Sequence, residues 1–259
     1  MESRNNILDT TNKRTYASAK VVRVYDELSF IHKPEQVILD LLRPSIQDKK
    51  LLDIGIGGGR TTKYLLELSA DYIGIDYTQA CVDAAKAKYP GINIQWGDAR
   101  DLSVFETDTF DFVLFSFNSI DYISHADRLR AMAEIHRVLR AGGHFAFSTH
   151  NRDWIDFNKP PWQQQERLSL NHLKSCLYSL AFLPKHLRMR KHEIHMDEYA
   201  IINDNAHGFS LLAYYIGIEK QKAQLASIGF KNVEAFDMEG SVIERDNKFP
   251  WTYYLAQKI

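Results

Sequence analysis

Residues 50–65 read KLLDIGIGGGRTTKYL, and this stretch decides the fold of the chain. An apolar run ends in Asp53, glycine then takes the alternate positions Gly55, Gly57 and Gly59, and a helical pattern follows. Glycine permits a positive φ and has no β-carbon, so a ligand can approach the backbone closely at such positions. The stretch therefore predicts a strand, a ligand-binding loop and a helix.

Short apolar runs of strand length recur along the chain and alternate with helical patterns. Since these runs are apolar at nearly every position, they predict a parallel sheet covered by helices on both faces. The fold class is therefore α/β, with a Rossmann-like, doubly wound and mostly parallel sheet. The predicted strands are 50–55, 71–76, 92–96, 110–115 and 143–149, and the predicted helices are about 59–69, 78–88 and 125–139.

The length of 259 residues and the 45% hydrophobic content suit one globular domain. Within it, we expect residues 1–45 to form a helical cap, and residues 46–150 and 217–259 to form the core of the sheet. The pattern of strands and helices changes over residues 151–216, which we predict to be an α/β insertion that covers the substrate as a lid.

The balance of 32 basic and 33 acidic residues gives a net charge of −1, so there is no overall field to attract nucleic acid or an anionic membrane. The dense basic run at 185–192 is expected to be a solvated face, with phosphate or nucleic-acid contact as the minority alternative. The chain begins with polar residues, and no run approaches the ~20 apolar residues that span a bilayer. We therefore expect a cytoplasmic protein without membrane contact, and a nucleic-acid partner is not expected.

Metal binding is not predicted. Cys81 and Cys176 lie far apart in amphipathic stretches, where packed free thiols are expected. His192, Glu193 and His195 lack the spacing of a helical zinc motif, and a strand would point the two histidines to opposite faces.

Acidic residues end three successive predicted strands. Asp76 follows Asp53 by 23 residues, near the ~20-residue offset at which an acid binds ribose hydroxyls, and Asp98 ends the third strand. A dinucleotide fingerprint starting at Gly55 would require glycine where this chain has Arg60. The spacing favours a nucleoside ligand without a pyrophosphate over NAD, although Asp76 could instead cap a helix and Asp98 could sit in a surface turn.

The segments LLDIGIGGGR, YIGIDYTQACVDAAK, IQWGDARDL, FDFVLFSFNSIDYI and RVLRAGGHFAFSTHN, in this order, resemble the class I S-adenosylmethionine-dependent methyltransferases. The resemblance covers about residues 45–150 and resumes at 217–259. It implies a seven-stranded sheet, S-adenosyl-L-methionine as cofactor, S-adenosylhomocysteine as product, and transfer of a methyl group by in-line displacement.

For the methionine half of the cofactor, the resemblance implies binding by Asp53 and the glycine loop. Arg60 would pair with the cofactor carboxylate. The segment Ser116, Phe117 and Asn118, which ends the fourth strand, would run beside the sulfonium and its methyl group.

For the nucleoside half, the resemblance implies that Asp76 holds the ribose hydroxyls. Asp98 and Ala99 would hold the adenine, and Tyr77 would pack on the adenine face.

Two histidines are candidate general bases, because the reference pKa of histidine, about 6.5, suits proton removal near neutral pH. His150 stands at the end of the fifth strand, and His125 follows the fourth. Either could instead be a hydrogen-bonded loop histidine, and an amine delivered neutral would need no base. The aromatic residues predicted to contact the substrate, or simply to pack, are Tyr16, Tyr25, Tyr122 and Trp154.

The leading prediction is methyl transfer to an oxygen or nitrogen of a small organic molecule. A peptide, protein or RNA acceptor is an alternative, but the chain has SFNS where RNA amine methyltransferases often carry an NPPY-like tetrapeptide. An NAD(P)-dependent oxidoreductase and a non-catalytic nucleoside-binding protein are alternatives from other classes. The acceptor, the pathway and the oligomeric state stay open.

Overall fold

The computed structural model describes residues 2–164, 169–245 and 248–259. Its α-helices are α1 (Glu2–Tyr16), α2 (Ala19–Asp26), α3 (Lys33–Ile46), α4 (Thr62–Leu66), α5 (Gln79–Lys88), α6 (His125–Val138), α7 (Leu170–Ala181), α8 (Leu183–Arg190) and α9 (Ile218–Ile228). Its strands are β1 (Leu51–Ile54), β2 (Tyr72–Asp76), β3 (Ile94–Trp96), β4 (Phe110–Phe115), β5 (Leu139–Asn151), β6 (Ile194–His195), β7 (Tyr199–Ile202), β8 (Ala213–Ile216), β9 (Phe230–Phe236), β10 (Val242–Ile243) and β11 (Trp251–Lys258). Short 3₁₀ turns lie at Ser119–Tyr122 and Pro161–Gln163.

The sheet runs in the order β3-β2-β1-β4-β5-β11-β9, with β10 at its edge. The strands β3, β2, β1, β4 and β5 are parallel to one another, whereas β11 is antiparallel to both β5 and β9. The predicted Rossmann-like, mostly parallel sheet is confirmed. Because parallel strands end at the same edge, the residues that follow β1, β2, β3 and β4 converge there.

Both faces of the sheet are buried, as its apolar strands require. Leu51 packs on one face with Leu39 and Leu42 of α3, and Leu52 packs on the opposite face with Ile135 of α6. Successive residues of a strand point to opposite faces, so β1 contributes to both layers of the core.

The segment after β5 adds a small sheet to the main one. Strand β8 pairs in parallel with the end of β5, β7 pairs with β8 in antiparallel fashion, and β6 pairs with β7. Residues Tyr199, Ile201 and Tyr214 of this small sheet pack against Leu8 of α1. The insertion is thus anchored to the end of β5 and to the N-terminal helices.

Candidate active site

The glycine loop after β1 adopts backbone angles that are unfavourable for residues with a side chain. The φ angles of Gly55, Gly57 and Gly59 are +67°, +54° and +78°. A β-carbon at Gly59 would also lie 2.7 Å from the ring of Tyr89. Positive φ explains the alternate glycines, because residues with a β-carbon seldom adopt it.

A first cavity opens where this loop meets the ends of β2, β3 and β4. Its volume is about 990 Å³, including the solvent-filled space at its mouth. It contains most of the residues that the sequence predicts for the cofactor. Those that line it are Asp53, Gly55, Gly57, Arg60, Asp76, Tyr77, Asp98, Ala99, Ser116 and Phe117. Gly59 and Asn118, the other two predicted for the cofactor, are not among the lining residues.

Asp53 lies at the base of this cavity and is 1% exposed. Its Oδ2 accepts hydrogen bonds from Thr61 Oγ1 at 2.7 Å and from the Tyr72 hydroxyl at 3.1 Å. Burial raises the pKa of Asp53 to about 7, because desolvation disfavours the carboxylate more than these donors favour it. This carboxyl group therefore titrates near neutral pH.

Asp76 is held by two backbone amides. Its Oδ2 accepts from the Gly57 amide at 2.9 Å and its Oδ1 from the Thr78 amide at 2.8 Å. Burial raises the pKa of Asp76 in spite of these donors. Each carboxylate oxygen can accept a further hydrogen bond, so Asp76 keeps acceptor capacity toward the cavity.

Asp98 is clamped by Arg100, which donates from its Nε at 2.9 Å and from a terminal nitrogen at 2.5 Å. Arg100 also contacts Asp9 of α1 at 3.0 Å. Burial would raise the pKa of Asp98, but the Arg100 guanidinium outweighs it and lowers the pKa. The third acid is thus an oriented carboxylate that connects the first cavity to the N-terminal helix.

Arg60 has a partner within the protein that the sequence did not suggest. It forms two hydrogen bonds with Glu35 of α3, at 2.6 and 2.7 Å, and both side chains are buried. Ser116 also donates to Glu35. Burial would raise the pKa of Glu35, but Arg60 outweighs it and lowers the pKa. This pair joins α3 to the glycine loop and to the end of β4.

Aromatic side chains separate the first cavity from a second, larger one. Tyr16 lines the first cavity, and its ring centre lies 5.8 Å from that of Tyr25 and 5.1 Å from that of Tyr122. Tyr25, Tyr122 and Phe117 line both cavities. Three of the aromatic residues thus form a partition between the two spaces.

The second cavity lies between this partition and the insertion. Its volume is about 1770 Å³, including the solvent-filled space at its mouth. His150 and Trp154, both predicted for the site, line it. Trp251, Phe209 and Tyr215 add further aromatic surface, and Asp204 adds a carboxylate. An organic molecule with both aromatic and polar groups fits such a lining.

His150 is fixed by Asp121, whose Oδ2 lies 2.7 Å from His150 Nδ1 and also accepts the His150 backbone amide at 2.7 Å. The Oδ1 atom of Asp121 accepts from Arg128 and, at 2.7 Å, from Thr149. Because a carboxylate only accepts hydrogen bonds, His150 carries its proton on Nδ1, and Nε2 is the nitrogen available to a ligand.

His125 lies elsewhere and lines neither cavity. Its ring stacks on Tyr199 at 4.2 Å, and its Nδ1 lies 2.9 Å from the Tyr214 hydroxyl. Burial lowers its pKa. The structure therefore does not bring His125 together with the other predicted site residues, and its contacts are those of a packed histidine.

Phe117 and Asn118 are left-handed, with φ of 57° and 55°. The backbone amide of Asn118 donates to Ser148 Oγ at 2.8 Å. The side-chain nitrogen and oxygen of Asn118 are buried without a partner in the described part of the chain. Such strain at non-glycine residues persists where the surroundings enforce it, and it clusters at functional sites. Here the left-handed backbone places the Phe117 ring in the partition between the two cavities.

Sequence reasoning missed Glu35, Asp121, Arg100 and Arg128. Glu35 follows a proline at the start of α3, where an acid is a common helix-capping residue. Asp121 lies in the segment after β4, where an acid near the cavity edge was a signal that the sequence offered.

Comparison with known proteins shows what part of this chain resembles. Residues 52–147, which run from β1 into β5, match the family model described as a methyltransferase domain. For this part of the chain the match agrees with the resemblance to the class I S-adenosylmethionine-dependent methyltransferases. The resemblance drawn from the sequence motifs is thereby confirmed, and the family implies binding of S-adenosylmethionine or S-adenosylhomocysteine.

Two curated relatives each match about half of this chain. A probable S-adenosylmethionine-dependent methyltransferase from Mycolicibacterium smegmatis is 29% identical over 49% of this chain and 48% of its own. A phthiotriol/phenolphthiotriol dimycocerosates methyltransferase from Mycobacterium leprae is 29% identical over 49% of each chain. The chain thus spans about half the length of these relatives.

A solved structure extends the likeness of fold over most of the chain. The 1,6-didemethyltoxoflavin-N1-methyltransferase of Burkholderia thailandensis, whose crystal structure holds 1,6-didemethyltoxoflavin and S-adenosylhomocysteine, has a TM-score of 0.54. It is 14% identical and covers 87% of this chain and 78% of its own. At this identity the likeness concerns the fold alone.

Proposed function

We propose that this protein transfers a methyl group from S-adenosylmethionine to an oxygen or nitrogen of a small organic molecule. One observation carries the proposal: two cavities meet at Tyr25, Phe117 and Tyr122, the first lined by the glycine loop and three acids, the second by His150. This arrangement suits a reaction in which one cavity holds the cofactor and the other holds the acceptor.

The first cavity fits the nucleoside of the cofactor. Asp76 has two oxygens that each accept one backbone amide and can each accept a ribose hydroxyl as well. Asp98, oriented by Arg100, can accept from the adenine amine, and Tyr77 offers an aromatic face. We assign the adenosine of the cofactor to these residues and to Ala99.

The methionine part of the cofactor would lie along the glycine loop, near Asp53 and Ser116. When its carboxyl group is ionised, Asp53 can accept a hydrogen bond from the ammonium group of the cofactor. Because Arg60 is already paired with Glu35, we assign it to positioning the loop more than to binding the cofactor carboxylate. When bound, the cofactor supplies an electrophilic methyl group on a sulfonium.

The partition would hold the reacting groups in line and exclude water. Aromatic rings favour a neighbouring cation through cation–π contact, which suits a sulfonium beside Tyr25, Tyr122 and Phe117. Alignment of nucleophile and methyl group is the main task of the protein in this displacement. Asn118 would support this segment through its strained backbone.

His150 would take the proton of the acceptor at Nε2. Asp121 holds the ring in the required tautomer and would stabilise the imidazolium that forms. Trp154 and the rest of the insertion, with residues 1–45, would enclose the acceptor, and the fold neighbour that binds an aromatic heterocycle supports this acceptor class.

A lipid-like acceptor is a second candidate, favoured by the relative named for phthiotriol dimycocerosates. The aromatic and polar lining of the second cavity supports the smaller acceptor more directly.

The first test is a calorimetric titration with S-adenosylhomocysteine. We expect the protein to bind it, and Asp76→Ala to weaken binding at least about tenfold because charge-assisted hydrogen bonds are lost. Asp83→Ala, an exposed acid on α5, is the matched control and should bind normally. Binding of NADH in place of S-adenosylhomocysteine would refute the proposal.

The second test measures methyl transfer from labelled S-adenosylmethionine to pools of phenols, heterocyclic amines and lipid alcohols. Label in the phenol or amine pool is expected. Label in the lipid pool alone would show that the acceptor is a lipid and not the small molecule proposed. Cofactor binding without any methyl transfer would favour a non-catalytic binding protein.

A further inference from the structure

Helix α7 turns its leucines to solvent. The exposed fractions of Leu170, Leu173, Leu177 and Leu180 are 80%, 56%, 59% and 52%. These residues recur at intervals of three and four, so they form a single stripe along the helix. We call this stripe the leucine face.

The opposite side of α7 is polar. Its buried residues are His172 and Ser179, and Ser179 lines the second cavity. A helix that simply covers a protein core places its apolar stripe inward. The inverted arrangement of α7 indicates that the leucine face is covered by something outside the described chain.

The charged residues of α7 and α8 are all basic. Residues 170–192 contain no aspartate or glutamate, whereas Lys174, Lys185, Arg188, Arg190 and Lys191 are basic. Helix α8, which carries three of these five, has no buried residue. The leucine face is thus followed directly in the chain by a basic helix, and apolar and basic faces together are typical of helices that lie in a membrane interface.

We propose that α7 and α8 dock this protein on the surface of an anionic lipid bilayer. The leucine face would insert between the lipid headgroups, and the exposed Arg188 and Lys191 would contact their phosphates. In the described part of the chain no helix is long and apolar enough to cross a bilayer, so the contact is peripheral.

Charge favours lipid over a second copy of the chain. A symmetric dimer would place the same patch on both partners, which brings the two basic segments together and makes them repel. An anionic bilayer instead attracts them. The expectation of no membrane contact rested on the polar first residues, on the absence of a spanning apolar run and on the net charge of −1, and the net charge conceals this local concentration of positive charge.

Helix α8 also lines the second cavity, through Leu183, Leu187 and Arg190. The surface that we propose to dock on the bilayer therefore adjoins that cavity. Resting on the proposed function, this suggests that the acceptor is lipophilic enough to partition into the bilayer and enters from it.

The test is co-sedimentation of the full chain with lipid vesicles. We expect binding to phosphatidylcholine vesicles that contain phosphatidylglycerol, little binding to phosphatidylcholine alone, and weaker binding at high salt. Leu173→Ser with Leu177→Ser, and separately Arg188→Glu with Lys191→Glu, should each weaken binding at least about tenfold. These residues are exposed, so thermal unfolding should be unchanged.

Matched controls alter exposed residues elsewhere: Leu41→Ser with Val104→Ser for the leucines, and Lys49→Glu with Lys86→Glu for the charges. Both should bind vesicles like the unaltered protein. Absence of vesicle binding, or equal loss in the controls, would overturn the proposal. A dimer that Leu173→Ser with Leu177→Ser dissociates, without vesicle binding, would also overturn it. Titration with S-adenosylhomocysteine on the same samples reports the cofactor site separately.

Discussion

His150 Nδ1 and Asp121 Oδ2 lie 2.7 Å apart, although the two residues are separated by 29 positions in the sequence. Asp121 stands in the 3₁₀ turn after β4, and His150 stands near the end of β5, the neighbouring parallel strand. The pairing of these strands therefore creates the dyad, and it sets which nitrogen of His150 is available at the second cavity.

Replacing His150 by glutamine should slow methyl transfer to a hydroxyl acceptor by ~10²–10⁴-fold, the usual contribution of a general base. Glutamine keeps a polar group of similar size, so cofactor binding should be unaffected. The measurement is the single-turnover rate with labelled cofactor, alongside calorimetry with S-adenosylhomocysteine. His125→Gln is the matched control, since His125 lines neither cavity. Equal slowing in both variants would remove His150 from its proposed role.

Replacing either member of the buried pair between Asp121 and Arg128 should lower the free energy of unfolding by about 3–5 kcal/mol, because the remaining buried charge loses its counter-ion. Both side chains are fully buried. Arg128→Met and Asp121→Asn can be compared by urea denaturation. The surface pair of Arg23 and Glu27 is the control, since breaking it should cost ~1 kcal/mol or less. Similar effects for both pairs would show that the buried one contributes little.

Replacing Gly57 by alanine should weaken binding of S-adenosylhomocysteine at least about tenfold, because a β-carbon disfavours the positive φ of this residue, which lines the first cavity. Gly91→Ala is the matched control. Gly91 also has a positive φ, of 83°, and a β-carbon there would meet nothing within 4 Å. Both variants should lose about 1 kcal/mol of stability. Only Gly57→Ala should lose affinity, and normal affinity would show that the loop does not bind the cofactor.

Local patterns in the sequence predicted what depends on short segments. The first strand, the positive φ of the alternate glycines and the succession of parallel strands along the chain follow from apolar runs and glycine spacing, and the structure has them. These features need no knowledge of distant contacts.

Features that depend on distant contacts escaped prediction. The strand predicted at 143–149 begins instead at Leu139, directly after α6 ends at Val138, because Leu139 pairs with Phe110 of β4. Gly142, with φ of 83°, lies where the register between β4 and β5 shifts. The pair of Glu35 and Arg60 joins residues 25 positions apart, so the same limit applies. Tertiary pairing overrode local signals in each case.

The buried carboxyl group of Asp53 should make the stability of the free protein fall as pH rises. Its pKa is about 7 in the folded chain against an ordinary value of 3.8, so the folded state holds a proton that the unfolded state has released. Between pH 4 and 7 the folded state therefore binds more protons, and linkage makes the free energy of unfolding decrease with pH over that range.

Asp53→Asn removes this titration and still accepts hydrogen bonds from Thr61 and Tyr72. Relative to the variant, the unaltered protein should lose more than about 1 kcal/mol of stability between pH 4 and 7, since one pKa unit corresponds to about 1.4 kcal/mol. Urea denaturation at several pH values gives the difference directly. A constant difference across this range would mean that Asp53 is ionised throughout, which would require a positive group or water beside it that offsets its burial.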